Sequence, residues 1–169
     1  MINTDAITIN NSLTDFQIES LINYSTTDPV LAKWTSDPVR FSSAEAVQKW
    51  LQANPEYLVL TDRDGELLGI AWLQKKPFPL ETKIKFTSED LKKYKNTSGI
   101  RLYGAARGKG LGVWFYTQLF DRFESQYVWA KISADNAASL RLRIKLSFKP
   151  VSESDAFNKI ILVRDSHNN

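Results

Sequence analysis

The 169-residue chain has no cysteine, one histidine and one methionine. Without cysteine, disulfides, thiolate metal sites and a cysteine nucleophile are all excluded. The lone histidine, His167, lies at the C-terminal end, where chains are commonly poorly ordered. That argues against a histidine triad or zinc site, and no metal is expected. Long apolar runs are missing too: none approaches the roughly 20 residues that a bilayer span needs. Met1-Ile-Asn-Thr-Asp5 shows neither the basic region nor the apolar core of a signal peptide. A cytoplasmic protein with no membrane partner is the expectation. Charge of one sign is also scarce, since 22 Lys and Arg against 19 Asp and Glu leave a net +3. A nucleic-acid binder would concentrate more positive charge on one face, so no nucleic acid is expected as a partner. The clusters Lys92-Lys93-Lys95 and Arg141-Arg143-Lys145-Lys149 read as solvated faces. At 43% hydrophobic and 24% charged, the composition is that of a globular protein, and the length suits a single domain over 1–169.

What is present is a series of short, well-signalled elements. Ala6–Asn10 alternates like a strand. Thr14-Asp-Phe-Gln17 fits a capping box, opening a helix with Phe16, Leu21, Ile22 and Tyr24 toward the core. Pro29 and Pro38, each preceded by Asp, punctuate a turn-rich segment, and the Asp-Pro-Val triplets at 28 and 37 are too short to count as a repeat. A second capping box, Ser42-Ser-Ala-Glu45, opens a helix carrying Val47, Trp50 and Leu51 on one face. Tyr57–Thr61 and Leu67–Leu73 flank Asp64-Gly65 as a hairpin, with Gly69 marking a bulge or a close backbone approach. Segment 75–97 is harder to place. Pro77 and Pro79 break it, Ile84 and Phe86 suit a short strand or arm, and Thr87–Leu91 looks like a helix start. It reads equally as a pocket-shaping loop or a plain surface loop. Further on, Tyr127–Ile132 is a strand, Ala137–Leu146 a helix and Phe157–Arg164 a last strand, followed by a frayed tail at 165–169.

The stretch Gly104-Ala-Ala-Arg-Gly-Lys-Gly-Leu-Gly112 stands out. Ile100–Tyr103 alternates before it. Phe115, Tyr116, Leu119, Phe120 and Phe123 recur behind it with helical period. A glycine-rich turn between strand and helix leaves backbone N–H groups free at a helix N-terminus, a ready site for phosphate. The nucleotide-triphosphate loop fails on spacing, because only three residues separate Gly104 from Gly108-Lys109 and Gly110 replaces Ser or Thr. The dinucleotide pattern fails because its third glycine would fall on Val113.

What remains, Arg107-x-x-Gly110-x-Gly112, resembles the pyrophosphate motif of the GNAT superfamily of acyl-CoA-dependent N-acetyltransferases. A second stretch, Asn136-Ala-Ala-Ser139-Leu-Arg-Leu142-Arg143-Ile-Lys145-Leu146-Ser147-Phe148, is similar to the family's later motif, and the order of elements agrees over nearly the whole chain. The resemblance implies an α/β (α+β) domain, with a mixed, mostly antiparallel central sheet flanked by helices and with central strands splayed to form an acetyl-CoA groove. It also implies that the backbone near Leu102 and Gly104 meets the pantetheine arm. The N–H groups of Gly108, Lys109, Gly110, Leu111, Gly112 and Val113 would hold the pyrophosphate, with Arg107 or Lys109 adding charge. Asn136, with Ser139 in its motif, would bond the arm or cap the next helix; Arg141 and Lys145 would meet the ribose phosphate or solvent.

The departures concern proton transfer. Where many family members carry a tyrosine that protonates the departing thiolate, this chain has Arg143, which stays charged and can only stabilise the thiolate electrostatically. Tyr103 is the substitute acid. Ser147 replaces a glycine. No base is evident on the central strand; Glu66 and Glu81 are candidates through water, and Arg101 would pair with the substrate or with a structural partner. The implied activity is transfer of acetyl from acetyl-CoA to a primary amine, on a small molecule or a peptide, by direct attack. Trp34, Trp50 and Trp72 read as core or as an acceptor pocket. The rival reading is a non-catalytic acyl-CoA sensor or interaction module, and a monomer and a homodimer are equally compatible.

Overall fold

A computed structural model of the chain describes residues 6–79, 88–124 and 127–165. Expectations placed on Glu81, Ile84, Phe86, His167 and the tail from residue 166 lie outside the described residues. Strand β1 (Ile7–Asn10) precedes helix α1 (Asp15–Thr27). The Thr14–Gln17 capping box forms in both directions: the Gln17 N–H donates to Thr14 Oγ1 at 3.3 Å and the Thr14 N–H to Gln17 Oε1 at 3.1 Å. Gln17 is buried because its Nε2 also donates to Gly65 O at 3.1 Å. The inward face is therefore Gln17, Ile18, Leu21 and Ser25, and Phe16, expected in the core, is left 52% exposed.

The segment read as turns holds two short helices, α2 (Pro29–Trp34) and α3 (Asp37–Arg40), each with proline in its first turn, where no N–H is needed. Helix α4 (Ala44–Gln52) is capped by Ser43 rather than Ser42. The extended backbone of Ser43 brings its Oγ within 3.2 Å of the Ala46 N–H, whereas Ser42 Oγ donates back to Val39 O. The hairpin strands are β2 (Glu56–Asp62) and β3 (Leu67–Lys75). Asp62 Oδ1 holds their turn by accepting from the N–H groups of Asp64 (3.0 Å) and Glu66 (2.9 Å).

Next come α5 (Ser88–Leu91), β4 (Asn96–Leu102), α6 (Leu111–Arg122), β5 (Tyr127–Ser133), α7 (Ala137–Lys145), β6 (Lys149–Pro150) and β7 (Lys159–Asp165). Ser147 serves where a glycine was the expectation. Its φ of 63° is left-handed, and it closes α7 with N–H bonds from Ser147 to Ile144 O and from Phe148 to Arg143 O, both 3.0 Å. The last strand begins two residues later than the sequence suggests. Asp155 Oδ1 gathers the N–H groups of Phe157 and Lys159 into a turn, leaving Phe157 exposed.

The strands hydrogen-bond in the order β1-β2-β3-β4-β5-β7-β6. The sheet is mixed and mostly antiparallel, with helices flanking it. Its parallel pair is β4–β5, in register at Asn96↔Val128 and Thr97↔Trp129. By contacts the chain divides into one unit of Met1–Trp72 with Ile100–Phe115 and a second of Leu73–Gly99 with Tyr116–Asn169. The first is built around Leu21, Phe41, Trp50, Ile70, Trp72 and Tyr103, and the second around Phe78, Leu91, Tyr94, Trp129 and Ile161.

Gly69 is a close approach in the first unit. A Cβ there would stand 2.7 Å from Arg101 O and 2.9 Å from Leu102 Cδ2. The nearer obstacle is backbone and cannot swing aside. Gly69→Ala is expected to lower unfolding stability by about 2 kcal/mol, read as a shifted midpoint in urea with an unchanged slope; a midpoint equal to wild type would show that β3 yields.

Candidate active site

The end of β4 is fixed in the first unit before the glycine stretch begins. The Tyr103 N–H donates to Leu68 O at 2.9 Å, and a single 3-10 turn, Gly104–Ala106, follows, with the Ala106 N–H on Tyr103 O at 2.9 Å and the Arg107 N–H on Gly104 O at 3.2 Å. Gly104, Gly108 and Gly110 take φ values of 40°, 74° and 77°, a region that L side chains rarely enter. A Cβ on Gly104 or Gly108 would meet nothing within 4 Å, so conformation and open space, not packing, call for glycine there.

Beyond the turn, Gly108, Lys109 and Gly110 are exposed, while Leu111 and Phe115 anchor the start of α6 in the core. Among the described residues, the N–H groups of Gly108, Lys109 and Gly110 have no backbone acceptor. Those of Leu111, Gly112 and Val113 fall in the first turn of α6, where no intrahelical acceptor exists. Six consecutive donors at the positive end of a helix dipole fit an anionic group such as a pyrophosphate.

Arg107 has a different place from the one its motif suggests. Its Nε donates to Leu102 O at 2.7 Å, and its Nη2 meets Asp28 Oδ2 at 2.6 Å. Asp28 also caps α2 through the Val30 N–H at 2.9 Å. Burial raises the Asp28 carboxyl, but the hydrogen bonds from Arg107 and Val30 outweigh it and hold it below the ordinary carboxylate value. Because the folded value is the depressed one, the tie is complete at neutral pH and fails only as pH falls through that value. The Arg107 charge is thus already matched, and Lys109 is the exposed cation of the loop.

Arg101, on β4, has a structural partner. Its Nε and Nη2 both grip the carboxylate of Asp37, the latter at 3.0 Å, and Arg40 Nη1 takes Asp37 Oδ1 at 3.1 Å. Asp37 is fully buried, and both guanidinium groups lie over the Trp72 ring, at 5.0 Å for Arg101 and 5.4 Å for Arg40. Trp50 and Trp72 are core residues here, and Trp34 is half-buried beneath Lys33. Asp28 and Asp37 are the residues that sequence reasoning missed. The signal was the repeated Asp-Pro-Val triplet, dismissed as too short.

Tyr103 and Arg143 are both buried. Tyr103 is 1% exposed and stacks on Tyr24, with centroids 4.7 Å apart. Its hydroxyl has no hydrogen-bond partner among the described residues. Burial, then the charge of Asp37, pushes the phenol above its usual value. In the second unit, Arg143 is 3% exposed, with Nη1 on Ser98 Oγ at 2.8 Å, Nη2 on Ser98 O at 3.2 Å, and the rings of Tyr116 and Phe148 against its guanidinium. Also in that unit, Asn136 caps α7, its Oδ1 accepting from the Ser139 N–H at 3.0 Å, while Arg141 and Lys145 are exposed. Glu66 lies exposed at the hairpin turn.

Comparison with known proteins agrees with this geometry. A profile of the acetyltransferase (GNAT) family matches residues 20–148, more than half of the chain. The chain belongs to the GNAT acetyltransferase family. It is accordingly an acetyl-CoA-dependent acyltransferase. No curated protein matches this GNAT chain in sequence. Among solved structures, yncA from Salmonella typhimurium, determined with its cofactor acetyl-CoA, is 19% identical over 97% of this chain and 96% of its own, with a TM-score of 0.61. Ribosomal-protein-alanine N-acetyltransferase from Brucella melitensis is 19% identical over 94% and 99%, TM-score 0.64. The aminoglycoside acetyltransferase AAC(6')-Ib with coenzyme A is 16% identical over 95% of both chains, TM-score 0.65. At these identities the likeness is one of fold.

The Asp28–Arg107 tie makes a signed prediction for this GNAT protein. If Arg107 chiefly holds the loop in shape, Asp28→Asn should weaken acetyl-CoA binding roughly tenfold, or about 1.4 kcal/mol. If Arg107 were instead a held-back cation, the same change would release it and tighten binding. Calorimetric titration at matched ionic strength separates the two.

Proposed function

We propose that the protein is an N-acetyltransferase that moves acetyl from acetyl-CoA to a primary amine, on a small molecule or a peptide, by direct attack. The observation that carries the cofactor part is the run of N–H groups from Gly108 to Val113, exposed at Gly108–Gly110 and backed by a buried helix start. In this reading those amides hold the pyrophosphate. The backbone at Leu102 and Gly104 lies along the pantetheine arm, the Leu102 carbonyl keeping one lone pair for it beside the Arg107 bond. Asn136 and Ser139 are assigned first to the cap of α7. The amine part is supported by relatives of the same fold, one named for a ribosomal-protein alanine and one solved with coenzyme A and kanamycin. The lack of cysteine agrees with a route without an acyl-enzyme.

In the same reading Tyr103 and Arg143 are packing residues. A proton drawn from Tyr103 would leave a buried phenolate with no hydrogen-bond partner among the described residues, and such a charge is costly. Arg143 keeps its charge at all ordinary pH values, and its guanidinium is engaged with Ser98.

The cofactor assignment is tested by calorimetry with acetyl-CoA, CoA, ATP and NAD on wild type, Gly110→Glu and Gly110→Asn. Asparagine tolerates the left-handed φ of 77° and is neutral, so it separates backbone strain from charge. The expected result is binding of the two CoA species alone, loss in Gly110→Glu and retention in Gly110→Asn. A folded wild type that binds neither CoA species would overturn the assignment. Thiol release with a panel of amines then tests transfer, and release independent of any amine would refute the acceptor class.

Tyr103→Phe removes a buried hydroxyl without a partner and keeps the stacked ring. It should leave kcat within about twofold and stability unchanged or up to about 1 kcal/mol higher. A hundredfold fall in kcat with unchanged KM would restore Tyr103 as the acid.

A further inference from the structure

The second unit holds a cavity of about 660 Å³ whose lining includes none of the residues assigned to the acetyl-CoA loop. Its walls include Lys75, Lys76, Lys92 and Lys95, and its apolar part is Pro77 and Phe78. Four ammonium groups around one cavity exceed the net +3 of the whole chain. Among the described residues, no carboxylate lines the cavity, and Lys75, Lys76 and Lys95 have no acidic partner. Two lysines of the same unit outside the cavity are matched: Lys93 pairs with Asp165 at 3.3 Å, and Lys131 with Asp155 at 2.7 Å. At the cavity itself, the charges of Lys75, Lys76 and Lys95 are paired with no described carboxylate.

The cavity is also built on fixed backbone. The Lys76 N–H donates to Lys95 O at 2.8 Å, so two of its lysines are tied together across the opening of β4. Trp129 Nε1 donates to Lys76 O at 2.8 Å, and the Lys76 ammonium lies 5.9 Å from the Trp129 ring centroid. Phe78, only 6% exposed, packs edge-on to Trp129 with centroids 6.0 Å apart. Ammonium groups are compact point charges that suit phosphate oxygens. An apolar wall suits a flat ring, and the volume is that of a small-molecule site.

We propose that this cavity is a second ligand site, for a small organic phosphate of the nucleoside diphosphate class, separate from the acetyl-CoA loop. The phosphates meet the lysines and the base lies against Pro77 and Phe78. The shared chemistry with the ADP end of CoA has to be separated by experiment, so the probe is free ADP titrated into protein already saturated with acetyl-CoA. Adenosine and pyrophosphate serve as half-ligands, and binding is read by calorimetry.

The expected result is one further equivalent of ADP bound, with adenosine and pyrophosphate each at least tenfold weaker. The site should persist in Gly110→Glu and weaken at least tenfold in Lys75→Gln/Lys95→Gln. Both lysines are surface residues, and circular dichroism checks that the double variant folds. Raising salt from about 0.05 to 0.5 M should weaken ADP binding to the wild type in any case, which keeps the test decisive if the double variant does not fold. No further equivalent, competition with acetyl-CoA, or affinity indifferent to both salt and the lysine changes would each overturn the proposal. Because ADP is read on its own, failure of the acetyl-CoA reading leaves this result standing, and the reverse holds as well.

Discussion

A carboxylate removed from water and gripped by two arginines is the constraint on which the first unit depends. Asp37 has no solvent exposure, so its charge is tolerable only because Arg101 and Arg40 both meet it. Such a cluster contributes little net stability, since desolvation offsets most of the attraction, but it is intolerant of alternatives. Losing either arginine leaves buried charge poorly matched, and shifting β4 by one residue would turn Arg101 to the other face. The cluster therefore fixes which β4 side chains face α3. It also explains Trp72, whose ring both guanidinium groups cover and which packs edge-on to Phe41 and Trp50. Burial of the aromatic core and pairing of the ions are one arrangement.

The same device recurs nine residues earlier at the next step along the chain's central path. Asp28, like Asp37, precedes a proline that starts a short helix, and it holds Arg107 as Asp37 holds Arg101. Both ties run from the segment after α1 to the stretch that carries β4 and the glycine turn. The strand end is set by Asp37, and the loop that follows is set by Asp28 and by the bond from Arg107 to Leu102 O. What this leaves for a ligand is backbone and the exposed Lys109 side chain. Arg107 shapes the loop, and the exposed amides of Gly108, Lys109 and Gly110 have no backbone acceptor among the described residues.

Much of this was legible from the sequence, and the failures share a cause. Local signals held where the relevant partner is three or four residues away: the Thr14–Gln17 box, the Asp64-Gly65 turn, the glycine loop opening α6. They slipped where a long-range bond decided the outcome. Gln17 is inward and Phe16 outward because Gln17 reaches Gly65, and no period in α1 reveals that. Ser43 rather than Ser42 caps α4 because both are competent caps and backbone conformation chooses between them. Asp28 and Asp37 looked like turn punctuation, which they are, but a sequence does not say which arginine a carboxylate will find. Arg143 was singled out by its position in a motif and Tyr103 by its place on the strand before the loop, and position is silent about burial.

Their burial bears on how the chain divides its labour. A group that passes protons needs contact with the reacting atoms or with water, and Tyr103 is 1% exposed against a stacked ring. The Arg143 guanidinium donates to Ser98 in the second unit and so holds α7 to β4 there. Arg101, Arg107 and Arg143 are engaged within the fold, while the amides of Gly108, Lys109 and Gly110 have no backbone acceptor among the described residues. Under the proposed function, transfer would then draw on holding and orienting the reactants, and orientation alone supplies large factors when the geometry is rigid. The two aspartate clamps tie the strand end and the loop to the segment after α1.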